Sequence, residues 1–205
     1  MLYQRIPSKG VTLLKFLQDC LKDEGNVKFR ESVVDTIMQI CPHQREQGLL
    51  VLSEHIEDCE HPHIQTKIIS YLAQEGPKAN NPSTYIRFIY NRINLERAVI
   101  RAAAVSALAA FANGVPSLKE SILHLLKNCL DDSDDEVRER AYFYIVLIEK
   151  DMQQSVLQES MQLSEQPEED PELLDLRNFV FDAETNINVD ALEAYLTANK
   201  DELCE

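Results

Sequence analysis

Four five-residue strings, spaced by 35, 36 and 37 residues, constrain this chain more than anything else in it. They are Phe29-Arg30-Glu31-Ser32-Val33, Ile64-Gln65-Thr66-Lys67-Ile68, Ile100-Arg101-Ala102-Ala103-Ala104 and Val137-Arg138-Glu139-Arg140-Ala141. Each opens on an apolar residue, places another four positions on, and a third four beyond that, at Ile37, Leu72, Leu108 and Ile145. Steps of four on a helix of 3.6 residues per turn keep such residues on one face. A unit of this length has room for two helices and their turns, but it cannot bury its apolar faces alone. It has to stack on copies of itself.

Apolar residues at three- and four-residue spacing predict helices near 9–23, 28–40, 43–58, 63–75, 82–93, 96–112, 117–130 and 134–149, and no segment sustains two-residue alternation. Tetratricopeptide units would carry a Trp-containing pattern, and the chain has no Trp; the ankyrin TPLH turn is also missing. The expectation is therefore all-α: a right-handed α-solenoid of HEAT/armadillo-like helix pairs over residues 1–150. Four of the five glycines, Gly10, Gly25, Gly76 and Gly114, fall at or near segment ends, where a helix C-cap needs positive φ; Gly48 does not. The segment "ERAVIRAAAVSALAAFANG" is unusually rich in alanine. A stacked inner helix accounts for it, with Ile100, Ala104, Leu108 and Phe111 meeting one surface and Ala103, Ala107 and Ala110 another, the small side chains letting the axes approach.

Composition narrows the function. With 35 Asp+Glu against 20 Lys+Arg the formal charge is −15, which repels phosphate backbones and argues against nucleic-acid binding. The longest mostly apolar runs, 102–112 and 141–148, are too short for a bilayer, and no apolar signal core follows Met1, so a cytoplasmic location is expected. Five cysteines without a CxxC pair suggest reduced, packed thiols and no disulfides. Cys59-Glu60-His61-Pro62-His63 crowds three metal-ligand types together, but no second cluster completes a tetrahedral site, so it reads as an inter-helix loop. No nucleophile elbow, zinc-protease, phosphate-loop or dinucleotide motif is present, and His55 and His124 have no partner at diagnostic spacing. Catalytic, metal and cofactor residues are accordingly not assigned. The string KDEL at 200–203 is not terminal, and Cys204 lacks prenylation spacing.

One stretch opposes the overall sign. "YIRFIYNRINLERAVIR", 85–101, has four arginines and one glutamate. Arg101 and Arg138, at matching repeat positions, are expected to bond polar groups of neighbouring turns such as Asn94, Asp131 or Asp132 as an internal ladder. Arg87, Arg92 and Arg97 remain as candidate partner-binding residues. Beyond a possible helix at 151–163, residues 151–186 read as an acidic, partly disordered linker; 187–205 read as a short terminal helix and tail, with Val189, Leu192, Tyr195 and Leu196 on one side.

The string "QEGPKANNPSTYIRFIYNRINLERAVIRAAAVSALAAFA", followed by "LLKNCLDDSDDEVRERAYFYIVLIE", resembles the gamma-subunit family of coatomer, the adaptin-like large chains of the COPI vesicle coat. "LSEHIEDCE" at 52–60 and "NVDALEAYL" at 188–196 are similar too, so the likeness is long and collinear. It points to the C-terminal half of the family's helical trunk. The resemblance implies an adaptin-trunk fold and a non-enzymatic coat scaffold in Golgi-to-ER and intra-Golgi transport. It also implies partners among coatomer zeta, beta and delta chains and peripheral attachment to Golgi membranes through the complex. Contact with Arf-type GTPases is expected in a trunk region outside this sequence, and the chain is expected to be a fragment, a partial gene product or a truncated paralogue. No motif transfers residue by residue as a binding site. A stand-alone helical-repeat adaptor for a soluble protein is the alternative.

Overall fold

The computed structural model describes residues 10–22 and 26–160, with side chains up to 153. Among the described residues are eight α-helices: α1 Gly10–Lys22, α2 Val27–Ile40, α3 Arg45–Asp58, α4 Pro62–Glu75, α5 Ser83–Leu95, α6 Ala98–Gly114, α7 Lys119–Lys127 and α8 Asp135–Ser160. They form four antiparallel hairpins stacked in two layers. First helices lie against first helices (α1 on α3, α3 on α5), and second helices on second helices (α2 on α4, α4 on α6, α6 on α8).

The repeat read from sequence is the core. Val33, Ile68, Ala104 and Ala141 are buried, as are Ile37, Leu72, Leu108 and Ile145. Of the opening residues Ile64, Ile100 and Val137 are buried as well, while Phe29 of the first hairpin is 48% exposed. Punctuation also follows local chemistry. Asn26 accepts the Lys28 N–H at 3.2 Å and caps α2, and Pro62 at the first turn of α4 offers no N–H that would need a partner.

Three sequence expectations are corrected. The break after 149 does not occur, because no Gly or Pro interrupts 135–160 and α8 runs through it as one helix. The 117–130 helix is divided: a 3-10 turn at Pro116–Leu118, α7 proper, and a second 3-10 turn at Asn128–Asp131. On α6 the second buried stripe is Ala102, Val105, Ala109 and Ala112 along with Ala107, whereas Ala103 and Ala110 are only half-buried. The linker beyond residue 160 and the terminal helix at 187–205 lie outside the described residues.

Gly48, Gly76 and Gly114 serve close approach, not positive φ, and Gly25 lies outside the described residues. Gly76 has φ −61° and ψ −43°, an ordinary helical conformation. A Cβ there would clash with the Cζ tip of the Phe111 ring and lie 3.0 Å from both Cε atoms. At Gly114 a Cβ would meet Pro77 Cβ at 2.6 Å, and at Gly48, in the first turn of α3, Cys41 Sγ at 2.9 Å. Gly76 and Gly114 thus seat the α4 end against the α6 end, the most extensive helix pairing among the described residues.

Substitutions test this packing. Ala104→Leu and Ala107→Leu, at positions without free surface, should each destabilise by roughly 1–3 kcal/mol despite good helix propensity. Gly76→Ala should cost a similar amount, and Phe111→Leu in the same chain should recover part of it. Urea midpoints of the singles and the double check both, and additive losses at Gly76 and Phe111 would contradict the contact.

Candidate partner-binding surface

The arginine-rich stretch falls on α5, the turn 96–97 and the start of α6. The buried face of α5 is Tyr85, Phe88, Ile89, Arg92 and Ile93, an i, i+3, i+4, i+7, i+8 stripe. Arg92 lies on that stripe and is 5% exposed; Arg87 lies off it and is exposed. The two arginines therefore have different fates, although they look alike in composition.

Arg92 is engaged inside the fold. Its Nη1 donates to Glu96 Oε1 at 2.9 Å and to the Ile56 carbonyl at 3.4 Å, while Nε is buried without a hydrogen-bond acceptor. Glu96 Oε1 also accepts from Gln65 Nε2 at 3.0 Å. A charge this deep needs such partners, so Arg92 holds hairpins together and presents nothing to a partner.

The internal ladder expected for Arg101 and Arg138 is present, on Asp132 and not on Asn94 or Asp131. Arg101 grips Asp132 with two parallel bonds, Nε at 2.9 Å and Nη2 at 2.7 Å, and donates to the Glu96 carbonyl at 2.9 Å. Arg138 donates to the Asp132 carbonyl at 2.6 Å and pairs with Asp135. Asp132 Oδ1 further accepts the Asp134 N–H at 2.9 Å, which shapes the turn into α8. The hydrogen bonds from Arg101 hold the Asp132 carboxyl below its ordinary value of 3.8, and that carboxylate raises Arg101 in return. Gln65 occupies the matching position of the second hairpin, so the ladder continues there with an amide.

What remains on the surface is Arg87 and Arg97. Arg87 lies over the ring of its neighbour Phe88, 5.1 Å from the centroid, and Arg97 holds the exposed, extended N-cap position of α6. Flanking Arg97 are two apolar side chains that sequence reading missed, Leu95 at 72% exposure and Val99 at 69%. A signal for Val99 was available: the residue before the opening apolar position is Lys28, His63 and Glu136 in the other hairpins, and Val only here. A cation between two exposed aliphatic side chains can dock an acidic, partly apolar protein surface.

The other candidates are structural. Cys59 is buried with its Sγ directed at the His61 carbonyl at 3.8 Å, and the His61 and His63 rings stand 6.1 Å apart in the α3–α4 turn. Among the described residues no three His, Cys, Asp or Glu side chains gather as a metal set. Burial raises the thiols of Cys41 and Cys59 and pushes Cys129 up to about 11, so none of the three is an activated nucleophile. His124 is exposed. His55 borders a groove of about 420 Å³ with Arg30, Glu54 and Asp58, and burial, reinforced by Arg30, lowers its pKa. That groove mixes both charge signs, and Gln18 and Glu54 bond each other across it at 2.9 Å, which selects no ligand class.

Stacked helical hairpins are common to several repeat architectures, and similarity to known sequences discriminates among them. The profile for the adaptin N-terminal region matches residues 2–152, nearly three quarters of the chain. The chain belongs to the adaptin N-terminal region family. Coatomer subunit gamma of Arabidopsis thaliana is 48% identical over 147 residues, covering 70% of this chain and 17% of that protein. Human coatomer subunit gamma-2 is 47% identical over 152 residues, 73% of this chain and 18% of the relative. The probable coatomer subunit gamma of Caenorhabditis elegans is 46% identical over 150 residues, 72% and 17% respectively. The aligned part spans less than a fifth of the length of these relatives.

The ladder yields a stability test. Asp132→Asn should destabilise the chain at neutral pH by roughly 1.5–3 kcal/mol, the range for hydrogen bonds to charged groups. Because the folded pKa of Asp132 is depressed, its contribution is complete above the unfolded value and is lost as pH falls below it, through the folded value. The gap in urea midpoint between wild type and variant should therefore narrow on acidification. A gap independent of pH would show that the charge on Asp132 does not matter.

Proposed function

We propose that this chain is a non-enzymatic scaffold segment of a COPI-type vesicle coat, acting in Golgi-to-ER and intra-Golgi protein transport. The observation that carries the reading is the 46–48% identity to coatomer gamma subunits over 70–73% of the chain. A rigid stack of helix pairs held by an apolar spine and an ion ladder suits the role, because it presents fixed side chains along an extended surface.

The partners in this proposal are other coatomer chains, zeta, beta and delta among them. Arf-type GTPases would be met through trunk sequence outside this chain. Recruitment to Golgi membranes runs through protein contacts. No described helix is long and apolar enough to cross a membrane, and a net charge of −15 opposes anionic leaflets. Each exposed arginine near such a surface would return only about 1 kcal/mol. Arg87 and Arg97, with Leu95 and Val99, form the contact proposed for an acidic partner surface; Arg92 supports it from inside.

Capture of recombinant coatomer subunits, run beside liposome flotation, tests the reading. The wild-type chain should capture at least one subunit and should not float on anionic vesicles alone. An Arg87→Glu/Arg97→Glu variant should stay folded, since both side chains are exposed, and bind on the order of tenfold more weakly. Capture of no coat subunit would favour a soluble adaptor, strong unaided flotation would overturn recruitment by protein, and equal capture by the variant would remove the two arginines from the contact.

A further inference from the structure

Among the described residues no further second helix stacks on α8 as α4, α6 and α8 stack on α2, α4 and α6. Five residues after the opening apolar position, α2, α4 and α6 carry Val34, Ile69 and Val105, each fully buried as the next second helix stacks over its layer. The same position of α8 is Tyr142, which is 65% exposed, and its neighbour Phe143 is 41% exposed. Tyr142 is aromatic where the interior of the stack has β-branched residues, and Phe143 stands where it has Asp35, Ser70 and Ser106. Both aromatics offer large contact area at low cost in side-chain entropy, as interface anchors do.

A second observation says what fits there. Glu139, Tyr142, Phe143, Val146 and Lys150 fall at i, i+3, i+4, i+7 and i+11, one stripe opposite the core stripe Val137, Ala141, Ile145 and Ile148. The stripe is apolar in the middle and oppositely charged at its ends. On its flanks Arg140 is already bonded to Glu136 and Ser106, and Glu149 to Lys127. Glu139 and Lys150 are exposed and enter no ion pair among the described residues.

We propose that this stripe is a self-complementary docking surface for a second copy of the chain, with α8 lying antiparallel on the α8 of that copy. A two-fold axis near residues 144 and 145 sets Phe143 against Val146 of the other copy and Glu139 against its Lys150. The symmetry then forms the reverse pair at the same time. A parallel arrangement would oppose Glu to Glu and Lys to Lys. Eleven residues of helix span about 16 Å, so both ion pairs close only at a shallow crossing, near the roughly 20° class of helix packing. The apolar centre supplies the attraction, while the exposed ion pairs set direction and register. A patch of five side chains falls below the ~800 Å² per partner of stable interfaces, whose affinities begin at micromolar, so the dimer is expected at roughly tens of micromolar. This inference concerns a different surface from the Arg87 and Arg97 contact and stands independently of it.

Sedimentation velocity on the whole 205-residue chain, over an about hundredfold concentration range around that value, tests it. The wild type should show a reversible monomer–dimer equilibrium, and Tyr142→Ala should abolish it. Glu139→Lys and Lys150→Glu alone each turn two attractive pairs into two repulsive ones and should weaken dimerisation about tenfold. Combined in one chain they restore opposite charges and should return the dimer to within about threefold of wild type. Urea midpoints of all variants, expected to match wild type because the side chains are exposed, separate folding from association. A wild type that stays monomeric throughout overturns the proposal. So does a double reversal as weak as the singles, which would assign the stripe to another occupant, such as residues after 160 or a helix of a different protein.

Discussion

The approach of α4 to α6 is the contact on which the second-helix layer depends. Phe111 fills the space that a Cβ at position 76 would take, and Pro77 fills the space beside Gly114. Between these two ends the small buried residues of α6 allow short interaxial separation, so backbone dispersion contacts replace those that longer side chains would make. Alanine is useful here because it is absent as bulk. The same helix then contacts α4, α5, α7 and α8, which makes it the hub of the last three hairpins.

Polar chemistry follows the same geometry. Stacking hairpins brings the start of each second helix beside the preceding turn of the next hairpin, so a guanidinium at the Arg101 position reaches a carboxylate at the Asp132 position across 31 residues of sequence. Glu96 plays the corresponding role one hairpin earlier, shared by Gln65 and Arg92. These partly buried bonds resist a sliding of one repeat over the next, which apolar contacts alone would tolerate, since dispersion and burial are non-directional. They also remove positive charge from the surface, so the exposed basic patch is smaller than the sequence suggests, and it is centred on Arg97 with its aliphatic neighbours.

Several features were legible in the chain. Steps of three and four marked the first seven helices and the start of α8 to within a few residues, though not the end of α8, and the 35-to-37 offsets identified the stacked unit. That Arg101 pairs inside the fold was legible because an arginine recurs at its repeat position, Arg138, whereas the choice of Asp132 over Asn94 or Asp131 was not. The fate of Arg92 was legible in principle: seven residues after Tyr85 it occupies the buried stripe, and a helical phase assigned to each arginine would have separated it from Arg87. The division of the 117–130 helix was not legible, because composition does not register a change from 3.6 to 3 residues per turn.

Sequence by itself determined the all-helical class, the hairpin repeat and the family, because helical phase and repeat length are properties of one dimension. Only the tertiary structure decided why Gly76 is a glycine, which alanines of α6 are buried, that Leu95 and Val99 stand exposed beside Arg97, and that Tyr142 and Phe143 stand exposed on α8. Each of these depends on how closely two segments distant in sequence approach one another. That distance is set by the packing of all their side chains at once.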